Sequence, residues 1–238
     1  MKKPIKRILI GTAIVVGIVL LIAAGFVIKF YTETKGMTPV ETSRLNDSVF
    51  CCKDKFVNVF VFKGNKGYVL IDAGLGTNSL AAELNKLNIQ PDDVTALLLT
   101  HTDGDHIGAV GAFRNAKIFM HKDEEQMING TNGKFFFSRT KWKFGPYTLL
   151  NSNDTLTVDG VKVKILPLPG HTPGSCCYLI NNDYLAVGDN LALKNGKITH
   201  FNDFFNMDTP KQEAALQNTP EIQTAKHILT AHFGVLNR

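Results

Sequence analysis

The sequence predicts one α/β layered domain behind a single membrane-spanning helix. Three features predict it: an uncharged apolar run near the N-terminus, short strand-like runs interleaved with helical spacings, and ionisable residues gathered where those runs end. With 238 residues, 44% hydrophobic and 20% charged, the chain is too apolar for disorder and long enough for one core plus an appendage.

The apolar run comes first. Ile8 to Ile28 carries no charge, and Thr12 is its only clearly polar side chain. At about 1.5 Å per residue, such a helix spans roughly 30 Å, the thickness of a bilayer's hydrocarbon. Lys2, Lys3, Lys6 and Arg7 precede it, which places the N-terminus in the cytoplasm and the remainder outside by the positive-inside rule. The rival reading is a cleaved signal peptide ending near Ala23-Ala24-Gly25, which would make the domain secreted. Residues 1–7 thus read as a basic tail, 8–28 as the anchor, 29–45 as a tether without periodicity, and 46–238 as the domain. The net charge of +5 belongs to this end: with Lys29, the basic residues up to position 30 supply all of it. The remaining 21 Lys and Arg match 21 Asp and Glu. That balance excludes a general phosphate-backbone binder, so no nucleic-acid partner is expected.

Within the domain, Phe56–Phe62 and Tyr68–Ile71 flank Lys63-Gly64-Asn65-Lys66-Gly67 as a β-hairpin, and Asp72-Ala73-Gly74 breaks its second strand. Apolar positions 80, 81, 84 and 87 have helical spacing. Val94 to Thr100 is a buried-type strand that runs into a histidine. Val161, Val163 and Ile165 alternate after an Asp159-Gly160 turn, and Cys176–Ile180 and Tyr184–Val187 flank the turn Asn181-Asn182-Asp183. Asp208-Thr209-Pro210 has the cap and first-turn proline of a helix start. Ala225 to Ala231 leads into His232-Phe233-Gly234.

The chemistry concentrates in Thr100-His101-Thr102-Asp103-Gly104-Asp105-His106, directly after Leu97-Leu98-Leu99. Burying so many ionisable groups costs several kcal/mol each unless they are compensated. A divalent cation compensates them, because imidazole nitrogen and carboxylate oxygen both ligate zinc, manganese or iron. Three more candidates stand at run ends: His171 in Gly-His-Thr-Pro-Gly-Ser, Asp189 in Gly-Asp-Asn, and His232. A polar surface turn would explain the Asp-Gly-Asp alone, but not the recurrence.

In this order the motifs resemble those of the metallo-β-lactamase-fold hydrolases, over about residues 46–238. The resemblance implies a four-layer αββα sandwich with its metal site at the sheet edges. It implies that His101, Asp103 and His171 hold a first divalent ion, that Asp105, His106 and His232 hold a second, and that Asp189 bridges them. It also implies that Asp105 orients the nucleophile. The family's loop usually reads H-x-H-x-D-H; Asp103 departs from it and adds a carboxylate, which helps manganese or iron compete with zinc. The implied activity is a hydrolase that uses metal-bound hydroxide on an ester, lactone, amide or phosphoester bond of a small-molecule substrate. A diiron oxidoreductase, a nuclease- or phosphodiesterase-type variant and a non-catalytic binding module stay open beside it.

Other features carry less. His121, His200 and His227 lack such flanks and read as structural or exposed. Cys51, Cys52, Cys176 and Cys177 fall in strand-like runs whose neighbours point to opposite faces, where an inter-strand disulfide and free thiols, two buried and two partly exposed, are both open readings. In 129–150, Phe135, Phe136, Phe137, Trp142, Phe144 and Tyr147 interleave with Lys134, Arg139, Lys141 and Lys143. That stretch reads as a flap over the site, a membrane-resting surface, or a loop packed on the core.

Overall fold

Alternation along the strands decides the layering. A computed structural model describes residues 3–134, 139–194 and 196–238; Phe135, Phe136 and Phe137 lie outside them. The chain divides into two units, Met1–Met37 and Thr38–Arg238.

The first unit is a helix, α1 (Lys3–Lys35), with exposed apolar side chains such as Ile8, Leu21 and Ile22. It is long and apolar enough to cross a membrane. It runs further than the apolar composition alone indicated, through 29–35 of the expected tether.

The second unit contains two main sheets. The first runs in the order β1 (Ser43–Arg44), β2 (Val49–Asp54), β3 (Val57–Lys63), β4 (Tyr68–Ile71), β5 (Val94–Leu99), β6 (Lys117–His121), β7 (Thr148–Leu150), antiparallel up to β4 and parallel from β4 onward. The parallel steps need crossovers, and α2 (Thr77–Lys86) is one of them. The second sheet contains β8 (Thr155–Val158), β9 (Val161–Pro167), β10 (Cys176–Ile180), β11 (Tyr184–Gly188), β14 (His227–Thr230) and β15 (Val235–Asn237), in the order β15-β14-β11-β10-β9-β8. The ribbon β12 (Leu191–Lys194) and β13 (Lys197–His200) stands apart.

In β5, Leu97 and Leu99 face α2, where Leu80 and Leu84 are buried, while Ala96 and Leu98 join Phe60, Phe62, Ile165 and Tyr178 between the sheets. In β10, Cys176 joins that central layer and Cys177 turns to the outer one with Leu185, Ile222 and Ile228. Sheets stacked face to face with apolar residues on both sides require helices outside. These are α2 on one side and α5 (Thr209–Gln217) and α6 (Glu221–Thr224) on the other, so the sandwich is αββα.

The turns expected at Asp159-Gly160 and Asn181-Asn182 both have positive φ, 50° and 84° for the first and 51° and 63° for the second, as tight hairpins demand. Asp208 caps α5 by accepting from Lys211 N–H at 3.0 Å. The four cysteines are buried free thiols. Trp142, Phe144 and Tyr147 pack on one another and against the core around α2 (Trp142 ring centroids lie 5.1 Å from Phe144 and 5.5 Å from Tyr147), so this part of the aromatic stretch is core cover. His121 is buried against Ser152 at 3.0 Å, His227 stacks on Tyr184, and His200 lies half-buried beside Asp203 and Glu213.

Candidate metal centre

Each candidate residue follows a strand whose buried run ends at the same edge of the sandwich. After β5, the buried Thr100 leads into His101 and Asp103, and α3 (Gly104–Ile107) carries Asp105 and His106. The loop after β9 carries His171. Asp189 follows Gly188, whose φ is +53° and where a Cβ would lie 2.3 Å from Thr100 Oγ1, so glycine is required. His232 follows β14, in a turn closed by Thr230 Oγ1 donating to the Gly234 carbonyl at 2.7 Å.

The structure brings all seven residues together. The carboxylate of Asp189 is divided between two histidine pairs. Its Oδ2 lies 3.3 Å from His171 Nε2 and 3.8 Å from His101 Nε2, and its Oδ1 lies 3.0 Å from His232 Nε2 and 3.3 Å from His106 Nε2. Asp103 Oδ2 stands 3.1 Å from His171 Nε2 and 3.6 Å from His101 Nε2. Asp105 Oδ2 stands 3.5 Å from His232 Nε2 and 3.8 Å from His106 Nε2. Three overlapping groups therefore have donors within 4.8 Å of one another: His101-Asp103-His171, His101-His106-Asp189 and Asp105-His106-His232.

A second layer of hydrogen bonds orients the rings. His106 Nδ1 donates to Asp72 Oδ2 at 2.9 Å, His232 Nδ1 to the Phe56 carbonyl at 2.7 Å, His171 Nδ1 to Asn206 Oδ1 at 3.1 Å, and His101 Nδ1 to Thr100 Oγ1 at 3.0 Å. Thr100 in turn donates its hydroxyl to Asp72, which also accepts from Thr100 N–H at 2.7 Å. With each Nδ1 turned to this network, it is Nε2 of every ring that faces the common centre, the side a neutral imidazole offers to a metal. Among the described residues, Nε2 of His101, His106 and His232 and Oδ1 of Asp189 are buried without a hydrogen-bond partner. Four orphaned polar atoms at one point fit a cation, since each would otherwise cost about 1–3 kcal/mol.

The electrostatics agree. Burial pulls His106 and His232 down, but Asp189 and Asp105 together, joined at His106 by Asp72, leave both above the ordinary histidine range. Burial works to raise Asp189, yet the facing histidines hold it well below the usual carboxylate range. Burial and the Lys134 ammonium together push His171 down to about 4.

Several supporting residues fall outside the motif-based candidates. Asp72 was visible only as a strand breaker; its φ of +64° marks the special conformation that aims its carboxylate at Thr100 and His106. Glu124 sits in the run Lys122-Asp123-Glu124-Glu125, which reads as an exposed acidic turn, but it is fully buried. Its Oε1 accepts from Thr102 N–H and its Oε2 from Thr172 Oγ1, tying the His101 and His171 loops together. Lys134 is buried with its Nζ donating to Asp103 Oδ2 and, at 2.7 Å, to His171 Nε2. No local pattern distinguishes it from Lys141 or Lys143.

The family model for the metallo-beta-lactamase superfamily matches residues 52–227. Over 160 residues the chain is 28% identical to a probable metallo-hydrolase of Methanocaldococcus jannaschii, covering 67% of this chain and 66% of that one. It is 30% identical over 131 residues to a hydroxyacylglutathione hydrolase of Buchnera aphidicola, covering 55% of this chain and 45% of the relative. The chain thus spans less than two thirds of the length of these curated relatives. Its fold matches a subclass B3 metallo-beta-lactamase from a soil metagenome library with a TM-score of 0.64 at 14% identity, over 82% of this chain and 80% of that one. Matched over most of its sandwich and carrying the motifs in order at one sheet edge, the chain belongs to the metallo-beta-lactamase superfamily.

Proposed function

We propose that the chain is a metal-dependent hydrolase acting on an ester, lactone, amide or phosphoester bond of a small molecule. The observation that carries this reading is the division of Asp189: one buried carboxylate facing two histidine pairs, with three imidazole Nε2 atoms left unpartnered around it. His101, Asp103, His171, Asp105, His106, His232 and Asp189 are the donors available to a divalent cation, zinc being favoured by the four imidazoles and manganese or iron by the three carboxylates. Bound there, such an ion lowers the pKa of water from 15.7 to about 7 and polarises the oxygen under attack.

The remaining work falls to the protein's own groups. Asp105, more open than the histidines, accepts a hydrogen bond from the attacking water and orients it. Phe201 lies edge-on to His171, with ring centroids 5.1 Å apart, and tilts against His232 at 5.7 Å, while Phe56 stacks on His232 at 5.9 Å. These rings keep bulk water from the imidazoles and strengthen the electrostatics inside. The N-terminal helix, with basic residues in its first turns and no acid before Glu33, anchors the chain in a membrane with the domain on the non-cytoplasmic side.

The test uses the full chain in detergent, stripped with chelator and reloaded with zinc or manganese, against a panel of thioesters, lactones, amides and phosphodiesters. Metal-restored turnover of one class is expected. A folded chain that takes up no transition metal and hydrolyses nothing overturns the reading.

A further inference from the structure

The two halves of the donor set are not equivalent, because one of them already contains a cation. Lys134 Nζ donates to Asp103 Oδ2 and to His171 Nε2, two of the three donors of the first group. Its side chain is only 9% exposed. Its position follows from the turn after α4 (Glu125–Ile128), where Asn132 is held through N–H to the Gln126 carbonyl at 2.9 Å and through Nδ2 to Gln126 Oε1 at 3.1 Å. Asp103 and His171 have their partner in Lys134. His101 Nε2, the third donor of that group, has none, and neither do His106 Nε2, His232 Nε2 and Asp189 Oδ1 on the other side.

We infer that Lys134 takes the place of the first metal ion, so the resident divalent cation is a single one at Asp105, His106, His232 and Asp189. This rests on the metal-dependent reading above. Position supports it: Lys134 Nζ already holds the Asp103 Oδ2 and His171 Nε2 atoms that a first ion would need. Asp103 fits the same account: lysine bonds a carboxylate far better than the imidazole found at that place in the usual loop. A second ion enters only when Lys134 Nζ leaves both Asp103 and His171.

The experiment counts metal. The full chain in detergent is stripped with chelator, titrated with zinc alone, and analysed for elemental zinc after gel filtration. One zinc per chain is expected for the parent and two for Lys134→Met, which keeps the side-chain volume without the charge. Asp103→Asn is expected to keep the parent's single zinc within about threefold in affinity, while Asp105→Asn weakens it about tenfold or more. Two zincs in the parent, one in a folded Lys134→Met, or loss of the parent's zinc in Asp103→Asn overturns the assignment of Lys134 and leaves the hydrolase reading standing. Zinc bound by none of the four chains overturns both. Should Lys134→Met not fold, the Asp103→Asn and Asp105→Asn pair decides.

Discussion

Asp72→Asn tests whether the second layer of hydrogen bonds, not the ligands alone, builds the metal centre. Asp72 Oδ1 accepts from Thr100 N–H at 2.7 Å, and Oδ2 accepts from Thr100 Oγ1 and His106 Nδ1, both at 2.9 Å. Asparagine has the same shape. Its Oδ1 keeps the bond from Thr100 N–H, which leaves an amide N–H₂ facing His106 Nδ1. Two donors then oppose each other in a fully buried place, a conflict worth about 1–3 kcal/mol. The ring relieves it by moving its proton: Nδ1 becomes the acceptor and Nε2 carries the hydrogen, aimed at Asp189 Oδ1 3.3 Å away. That satisfies the metal-free protein and removes the lone pair a cation needs. Zinc affinity should therefore fall about 10–100-fold, or roughly 1.4–2.8 kcal/mol, with little change in the stability of the metal-free fold. Competition against a chromophoric chelator gives the affinity, and nitrogen-15 NMR of the imidazoles gives the tautomer. An affinity within threefold of the parent, or a His106 that keeps its proton on Nδ1, refutes the reasoning.

Four further outcomes follow from the same geometry. In metal-free protein the raised His106 and His232 contribute stability that is complete below pH 6.5 and lost as pH rises through their folded values, whereas His171, depressed to about 4, contributes stability present above 6.5 and lost as pH falls toward 4. Its Tm should peak near pH 6.5 and zinc should flatten the alkaline limb; a metal-free Tm that climbs steadily above pH 6.5 contradicts this. Gly188→Ala should cost zinc binding as well as stability, because the new methyl meets Thr100 Oγ1 at 2.3 Å in a left-handed turn next to Asp189; an unchanged zinc titration counts against the turn's role. Tyr178→Phe leaves the buried Leu99 carbonyl without its 2.9 Å donor and should cost about 1–3 kcal/mol in urea unfolding. The four buried thiols, with Cys52 pushed by burial up to about 12, should react with a thiol reagent only at the rate of unfolding; fast labelling of the native chain contradicts their burial.

The sheets were legible in the sequence where period two and turn chemistry coincided. The hairpins around Asp159-Gly160 and Asn181-Asn182 carry both signals, and the Val94–Leu99 strand has the uninterrupted apolar run of a strand covered on both faces. What stayed hidden was short or depended on tertiary pairing. β7 has three residues and two of them are exposed; among the described residues β12 and β13 pair only with each other. The end of the N-terminal helix shows a similar limit. Residues 29–35 mix charged and polar types, yet they continue α1, since a helix already nucleated extends through residues that would not start one. The loop beyond it is fastened by contacts distant in sequence: Thr38 N–H donates to the His232 carbonyl at 2.7 Å, and Asn58 pairs both backbone groups of Val40.

The candidate site divides along the same line, and the division has a physical cause. Asp103, Asp105, His171 and Asp189 adjoin a glycine, and at Gly170 and Gly188 the backbone turns through a positive φ that glycine adopts freely, a pairing visible in one dimension. The residues that hold the ligands in place obey no such rule. Asp54 accepts from Leu75 and Gly76 N–H at 2.7 and 3.1 Å, Asp72 joins the end of β5 to α3, and Glu124 joins the His101 loop to the His171 loop. Asp72 and Glu124 are buried carboxylates that take donors from two different segments, Asp54 takes both of its donors from one turn, and every one of these partners is at least 21 positions away. Such a residue looks like surface charge until the chain is folded. Lys134 is the extreme case: its meaning depends on Asp103 and His171, 31 and 37 positions away, and on nothing adjacent to it. A motif thus marks where a cation can be held, while the number of ions held there is set by buried charges that only the fold brings into contact.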